Sequence, residues 1–235
     1  MNLVRRVGAI VAAAVLAAGL LAACGNASGS KTDGVDRDAT RTSAVRIEAQ
    51  GCGPRTRLGM GTVIEEDLVV TAAHVVAGAD RVDVVDDDDT RASAEVVMFD
   101  PDLDIAVLRP TSVIGTPAGL RSAPVQAGDV GLVAVRGVDD ANELVPVKVL
   151  RTVTIRTTDI YLDAEVERPG FEIDAPIEPG DSGAMVHLAD GAAGVVWARS
   201  TVNADRAWAV TLPVALLEPT ARRELLGAVD TGACS

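Results

Sequence analysis

Short hydrophobic runs rich in valine recur along the chain from residue 44, and clusters of Gly, Pro and Asp separate them. Short runs of β-branched residues bounded by turn residues are typical of strands. A first set predicts strands at 45–49, 61–65, 68–71, 81–86, 94–99 and 105–108. A second set predicts strands at 130–136, 144–156, 160–163, 184–188, 192–198 and 207–212. Such regular short strands indicate an all-β protein built on barrels.

Two segments lack this strand pattern. Residues 115–128 contain Pro117 and Pro124 and few strand signals, so they predict the connection between the two sets. Residues 214–227 have apolar residues at helical spacing and end at Gly227, which predicts one C-terminal helix. Pro219 lies inside this segment and predicts a kink or a break.

The N-terminal residues 1–23 have the features of an export signal. Arg5 and Arg6 precede an apolar run that ends at Leu21-Ala22-Ala23-Cys24. A leucine, two small residues and a cysteine resemble the site at which bacterial lipoproteins are lipidated on cysteine and cleaved. The alternative is an uncleaved membrane anchor, because the run is close to the shortest length that spans a bilayer. Both predict a domain tethered to the cell membrane on its extracytoplasmic face.

Composition divides the rest of the chain. Residues 24–43 are rich in Gly, Ser, Thr and Asp without apolar periodicity, which predicts a flexible linker. The folded domain is expected at 44–235, with barrels at about 44–115 and 128–212 and a helix and tail at 213–235. The chain has 34 acidic and 21 Lys or Arg side chains, a net charge of −13, which argues against nucleic acid as a partner.

Three segments in the order His, Asp, Ser carry side chains suited to nucleophilic catalysis. They are 71–75 (TAAHV), 102–108 (DLDIAVL) and 179–183 (PGDSG). A serine hydroxyl needs a neutral imidazole to take its proton and an acid to orient that imidazole. The other histidine, His187, follows Ser182 too closely along a predicted strand to face the same hydroxyl. His74 is therefore the expected base and Ser182 the expected nucleophile.

At these segments the sequence resembles the trypsin-like serine peptidases of the chymotrypsin fold, whose signatures T-A-A-H, D-I-A-V-L and G-D-S-G occur here in the family order. The resemblance covers about 45–212 and implies two antiparallel six-stranded barrels with the active site between them. It implies a serine endopeptidase that cuts protein or peptide substrates through an acyl-enzyme. Asp104 directly precedes Ile105 and matches the family's acid, while Asp102 is the competing candidate.

The residues around Ser182 have a use in this chemistry. An oxyanion must be met by backbone N–H donors, and Gly180 can adopt the dihedral that directs its N–H beside that of Ser182. Gly180 and Ser182 are therefore the expected oxyanion hole. In animal members of the family, the aspartate before the serine pairs with a newly released N-terminal amine. Acylation of Cys24 would prevent this, so Asp181 is expected to have a local hydrogen-bond partner.

The resemblance also implies a substrate pocket, lined by Pro176, Ala198, Arg199, Ser200 and Ala207. Pro176, six residues before the serine, stands at the base of the pocket in place of an acid, so a preference for Lys or Arg is not expected. The pocket is expected to accept small or medium apolar side chains of the substrate, and an acidic substrate side chain bound by Arg199 is the alternative.

One departure from the family pattern opens a second functional hypothesis. Ala184 and Met185 follow Gly183 where the family often has glycine and proline. This change is compatible with a narrowed site. The alternative function is therefore a protease-like binding or latent lipoprotein without constitutive turnover.

The cysteines predict a disulfide. If Cys24 is lipidated, Cys52 and Cys234 remain as a pair, and export favours a bond between them over two free thiols. An early G-C-G and a terminal cysteine also resemble those of the acid-resistance periplasmic serine proteases of bacteria.

Residues 86–89 are four consecutive aspartates and are therefore a candidate calcium site. The D-x-D-x-D-G spacing of a calcium loop is absent, so a solvated hairpin loop is the preferred prediction. The sequence contains no Cys/His cluster and no glycine-rich phosphate loop after a strand. It therefore implies no metal and no cofactor, and it predicts no particular oligomeric state.

Overall fold

Six antiparallel strands close the first barrel in the computed structural model, which describes residues 34–137 and 139–235. They are β1 (Ala44–Gly51), β2 (Gly53–Glu65), β3 (Leu68–Thr71), β4 (Arg81–Val85), β5 (Arg91–Asp100) and β6 (Ile105–Pro110). Their order is β1-β2-β3-β6-β5-β4, and β4 pairs with β1 to close the barrel. Val45 and Ile47 are fully buried in its core, because alternate residues of a strand face the same side.

The second barrel has the same design. Its strands are β7 (Val130–Arg136), β8 (Asn142–Thr158), β9 (Glu165–Asp174), β10 (Met185–Leu188), β11 (Gly191–Arg199) and β12 (Arg206–Thr211). The order is β10-β11-β12-β9-β8-β7, and β10 pairs with β7 to close the ring. Phe171 and Ile173 of β9 are fully buried in this core. The predicted all-β architecture of two six-stranded antiparallel barrels is confirmed.

One predicted strand is wrong. Residues 160–163 lie in the turn between β8 and β9, and β9 itself was not predicted. Its first half, with alternating charges followed by Pro169 and Gly170, has the composition of a loop. The pairing of β9 with β12 ends at Gly170, so Pro169 lies where the strand has a single neighbour and a missing N–H is tolerated.

The predicted linker also ends too late. Within it, α1 (Arg37–Ser43) forms a short helix that contacts β7 and β8. The Asp36 carboxylate caps this helix by accepting the Ala39 N–H at 2.9 Å, and Thr40 and Ser43 are buried. A flexible spacer is therefore excluded for 37–43. The remainder of the prediction, up to residue 33, lies outside the described residues.

The C-terminal segment forms two short helices instead of the single one predicted. They are α3 (Val214–Leu217) and α4 (Pro219–Arg222), and the break falls at Glu218, next to the proline. The predicted end at Gly227 is wrong, because the chain is already irregular there. In the described part of the chain, every helix is too short or too polar to cross a membrane.

The end of the chain is fixed to the first barrel. Cys52 and Cys234 form the predicted disulfide. The Gly78 N–H donates to the Thr231 carbonyl at 3.1 Å, and the Tyr161 hydroxyl donates to the same carbonyl at 2.7 Å. The tail therefore packs beside the remaining short helix, α2 (Ala73–Val76).

Candidate active site

His74 and Asp104 meet at the mouth of the first barrel. His74 lies in α2, directly after β3, and Asp104 directly precedes β6. The His74 Nδ1 is 2.8 Å from the Asp104 Oδ2, and the His74 backbone N–H donates to Oδ1 at 2.8 Å. The Asp104 side chain is 2% exposed and that of His74 is 34% exposed. A carboxylate that accepts the Nδ1 proton leaves Nε2 free to act as a base.

The competing acid lies elsewhere. The Asp102 residue is exposed on the turn before β6. Asp104 has a φ of 59°, in the left-handed region that aspartate tolerates, and this conformation accompanies its burial. The tertiary structure therefore brings Asp104, and not Asp102, to the imidazole.

The backbone of His74 is held from outside its helix. The Arg57 Nη1 donates to the His74 carbonyl at 3.1 Å, and the Ser235 hydroxyl donates to the same oxygen at 3.3 Å. The four-residue helix α2 has no side-chain cap. These two contacts replace stabilisation that such a short helix lacks by itself.

A buried arginine from the second barrel supports the acid, and sequence reasoning missed it. The Arg168 side chain is 2% exposed, and its Nη1 lies 3.8 Å from the Asp104 Oδ2. Its Nε donates to the Asp102 carbonyl at 2.6 Å, and its guanidinium lies 4.8 Å from the centroid of the Trp197 ring. Burial lowers the pKa of Arg168, and the Asp104 charge opposes that shift. Arg168 thus joins the two barrels behind the acid; its sequence context, E-R-P-G, gives no signal of this contact.

Ser182 follows a glycine turn in the second barrel. The Asp181 N–H donates to the Glu178 carbonyl at 3.1 Å, with Pro179 and Gly180 at the centre of the turn. Gly180 has a φ of 106°, and proline followed by a positive-φ glycine is typical of a type II turn. Among the described residues, neither the Gly180 N–H nor the Ser182 N–H donates a hydrogen bond. Both donors are thus available to a ligand.

Close packing brings this turn against the first barrel. The Met60 N–H donates to the Ser182 carbonyl at 2.8 Å. A Cβ on Gly183 would lie 2.0 Å from the Met60 carbonyl oxygen and 2.5 Å from the Thr71 Oγ1, so only glycine fits. A Cβ on Gly59 would meet both Val75, next to His74, and the Ser182 carbonyl. The serine turn therefore lies beside the segment that carries the histidine.

Asp181 has the local partners predicted for it. Its Oδ1 accepts the Arg136 N–H at 3.1 Å, and its Oδ2 accepts the Glu178 N–H at 2.8 Å. Burial raises the pKa of Asp181, and these two N–H donors oppose the shift. The carboxylate ties the turn before Ser182 to the end of β7.

The five predicted pocket residues gather at one end of the second barrel: Pro176, Ala198, Arg199, Ser200 and Ala207. Arg199 pairs with Ala207 across β11 and β12, and the Ala175 N–H donates to the Asp205 carbonyl at 2.8 Å, which brings the 175–176 segment to the same end. The Arg199 guanidinium also lies 3.8 Å from the Glu178 carboxylate, so it already has an acidic partner next to the serine turn.

The acidic residues 86–89 form the turn between β4 and β5. Asp86 accepts the N–H groups of Asp88 and Thr90 at 3.0 and 2.9 Å. Asp87 accepts the N–H of Asn142 in the second barrel, and Asp89 forms an ion pair with Arg46. Over residues 34–137 and 139–235, no group of three or more His, Cys, Asp or Glu side chains is placed to hold a metal ion.

His187 lies away from this site, buried in β10. Burial lowers the pKa of His187 to about 4. The unfolded chain takes up this proton near pH ~6.5, so the stability from the neutral imidazole is complete above that pH and is lost as the pH falls towards 4. We expect the free energy of unfolding to decrease by about 3 kcal/mol from this group across the window.

Urea unfolding of the parent and of His187→Leu between pH 7 and pH 4 measures this effect. The difference between the two curves removes the contributions of the carboxylates. The parent should lose stability relative to the variant as the pH falls. Equal pH dependence in both proteins would show that His187 does not cause it.

Comparison with known proteins places this geometry in a family. Residues 59–196 match the profile of the trypsin-like peptidase domain. The serine protease Rv3671c of Mycobacterium tuberculosis is 32% identical over 205 residues, covering 83% of this chain and 50% of the relative. A probable periplasmic serine endoprotease, DegP-like, of Halomonas elongata is 32% identical over 151 residues, covering 61% of this chain and 30% of the relative. The chain thus spans half or less of the length of these curated relatives.

A solved structure agrees with this assignment. The crystal structure of the active form of the M. tuberculosis Rv3671c protease has a TM-score of 0.75 to this chain at 31% identity. The aligned region covers 84% of this chain and 87% of the chain in the solved structure. Since the profile matches more than half of the sequence, the chain belongs to the trypsin-like peptidase family.

Proposed function

We propose that this chain is a serine endopeptidase that hydrolyses peptide bonds in proteins or peptides. The observation that carries the proposal is the double contact of Asp104 with the Nδ1 and the backbone N–H of His74, beside the Ser182 turn. This arrangement prepares an imidazole to take the proton of a serine. The M. tuberculosis relative is named a serine protease, which supports the same reaction here.

In the proposed reaction, the Ser182 Oγ attacks the scissile carbonyl carbon while the His74 Nε2 accepts the hydroxyl proton. The new C–O bond moves the carbonyl π electrons onto oxygen. His74 then gives its proton to the leaving amine as the C–N bond breaks, which leaves an acyl group on Ser182. A water molecule, deprotonated by His74, hydrolyses that ester and restores the hydroxyl. Asp104 holds the Nδ1 proton and stabilises the imidazolium throughout.

The oxyanion of the tetrahedral intermediate would be bound by the N–H groups of Gly180 and Ser182. Two observations support this role: both donors are unused within the described residues, and an added Cβ at Gly180 would meet no atom within 4 Å. Donors directed at the developing charge stabilise the transition state more than the substrate.

The pocket residues favour small or medium apolar substrate side chains. Pro176 provides no charge at the pocket base, and Ala198 and Ala207 add small walls. Arg199 lies within 3.8 Å of Glu178, which weakens the alternative of an acidic substrate side chain because a substrate carboxylate would compete with Glu178.

We also propose that a lipid on Cys24 tethers the domain to the extracytoplasmic face of the cell membrane. Residues 1–23 and Cys24 lie outside the described residues, so this proposal rests on the sequence pattern. The word periplasmic in the name of the H. elongata relative supports export. The spacer would then run from Cys24 to Asp36, since α1 begins at Arg37.

Covalent labelling tests the proposed activity. The full chain, purified in detergent, is treated with a fluorophosphonate probe, and the added mass is read on the intact protein and on its peptides. We expect one adduct, on Ser182, because only a serine activated by a base attacks phosphorus at a useful rate.

Ser182→Ala is the matched variant, and it should remain unlabelled. Ser122→Ala is the control: Ser122 is an exposed serine in the connection between the two barrels, away from the proposed site. The control should be labelled like the parent. An unlabelled parent would contradict the enzyme proposal and favour the alternative of a protease-like binding or latent protein.

A further inference from the structure

The acidic turn between β4 and β5 reaches across to the second barrel. The Asp87 Oδ1 accepts the backbone N–H of Asn142, the first residue of β8, at 2.6 Å. Its neighbour Asp89 pairs with the Arg46 guanidinium, and Arg46 also donates to the Asp140 carbonyl. The Arg46 side chain is only 9% exposed, so this contact between the barrels is buried.

A series of contacts connects these residues to the turn before Ser182. Asn142 pairs with Arg136 at the end of the β7–β8 hairpin. The Arg136 side chain also binds Asp140, at 2.6 Å between Nε and Oδ1. The Arg136 backbone N–H donates to Asp181, whose other oxygen accepts the Glu178 N–H. Each step in this series is a hydrogen bond, an ion pair or a strand pair.

We propose that Asp87 is a positioning residue for the oxyanion hole: through Asn142 and Arg136, it holds Asp181 and thereby the Gly180 turn in the form that binds an oxyanion. The inference rests on the proposed function and goes beyond it, because it assigns a role in catalysis to a loop in the other barrel. It also gives Asp87 and Asp89 of the acidic turn a role in the contact between the barrels.

The physical need for such support lies in the surroundings of Asp181. In the described chain, no Lys or Arg side chain forms an ion pair with this buried carboxylate, and its hydrogen-bond donors are the N–H groups of Arg136 and Glu178. A buried carboxylate that loses one of two donors loses much of what stabilises its charge. Displacing the β7–β8 hairpin would therefore release the turn that Asp181 closes.

A calcium site is a poorer use of these aspartates. Asp86 is engaged by two backbone N–H groups, Asp87 by Asn142 and Asp89 by Arg46. Carboxylates that accept N–H bonds in this way point apart and do not leave a shared set of oxygens for one cation.

The experiment compares three variants of the full chain: Asp87→Ala, Asp87→Asn and Asp88→Ala. The first removes the acceptor for the Asn142 N–H. The second keeps an acceptor oxygen in the same place, so it should behave like the parent. The third is the matched control, because Asp88 is exposed and its side chain accepts no hydrogen bond within the described residues.

Hydrogen exchange of the peptide covering residues 176–184 gives a readout that does not need turnover. We expect this peptide to exchange about tenfold faster in Asp87→Ala, with β2 and β3 unchanged, since losing a support opens a local unit without unfolding the barrels. In steady-state kinetics, kcat should fall about tenfold with KM nearly constant, because oxyanion donors act mainly in the transition state.

Parental exchange at 176–184 in Asp87→Ala would overturn the proposal, and so would faster exchange throughout both barrels, which indicates general destabilisation. If Asp87→Ala does not fold, Asp87→Ser, which shortens the side chain but keeps it polar, takes its place. An inactive parent refutes the proposed function alone, because the exchange comparison still decides the role of Asp87.

Discussion

Replacing Asp104 by asparagine is expected to lower kcat about 10⁴-fold with little change in KM. Asp104 accepts two N–H groups of His74, from the backbone and from Nδ1. An amide offers one oxygen and one NH₂ group. If its oxygen keeps the backbone bond, its NH₂ faces Nδ1, and the imidazole must carry its proton on Nε2. That tautomer cannot take the proton of Ser182.

Steady-state kinetics on a peptide substrate measures this effect, and circular dichroism checks that the variant is folded. Asp102→Asn is the control, since Asp102 is the other acid of the motif and is exposed. It should retain parental kcat within about twofold, as a surface substitution away from the reacting groups. A large loss in Asp102→Asn with a small one in Asp104→Asn would reverse the assignment of the acid.

Removing the disulfide is expected to destabilise the domain by about 5 kcal/mol. Cys52 and Cys234 are separated by 182 positions, and a bond that closes so long a loop strongly restricts the unfolded chain. The tail that the bond fixes also reaches the His74 carbonyl through Ser235. Loss of the bond should therefore loosen α2 as well as lower the stability.

Urea unfolding of the double variant Cys52→Ser with Cys234→Ser measures the stability, and the parent with its disulfide reduced should give the same midpoint. Cys24→Ser is the control for loss of a cysteine, because it leaves the 52–234 bond intact. A change below about 1 kcal/mol in the double variant would show that native contacts, and not the covalent bond, fix the tail.

Strand positions were largely predictable from this sequence because they depend on local composition. Val-rich runs bounded by turn residues identified all six strands of the first barrel and five of the second. The exception, β9, has a polar first half with Pro169 and Gly170, and it becomes a strand because β8 and β12 pair with it. Pairing across the sheet is not encoded within one strand.

Part of the candidate site was likewise predictable from local sequence, and part was not. The motif residues His74, Asp104 and Ser182 could be proposed from the sequence, because this chemistry needs particular residue types in a recognisable context. The pairing of Cys52 with Cys234 followed from counting cysteines and from the predicted export. By contrast, nothing near Arg168 in the sequence indicates that it supports Asp104, 64 residues earlier in the chain.

Local sequence was enough to predict all six strands of the first barrel, five strands of the second, and the residues proposed for the chemistry, while the export signal stays a prediction. The tertiary structure alone decided that Asp104 and not Asp102 faces His74, that Asp181 is held by Arg136 and Glu178, and that Asp87 contacts the second barrel. Local patterns fix backbone conformation over a few residues. Which distant groups meet depends on how the two barrels pack, and that packing is a property of the whole chain.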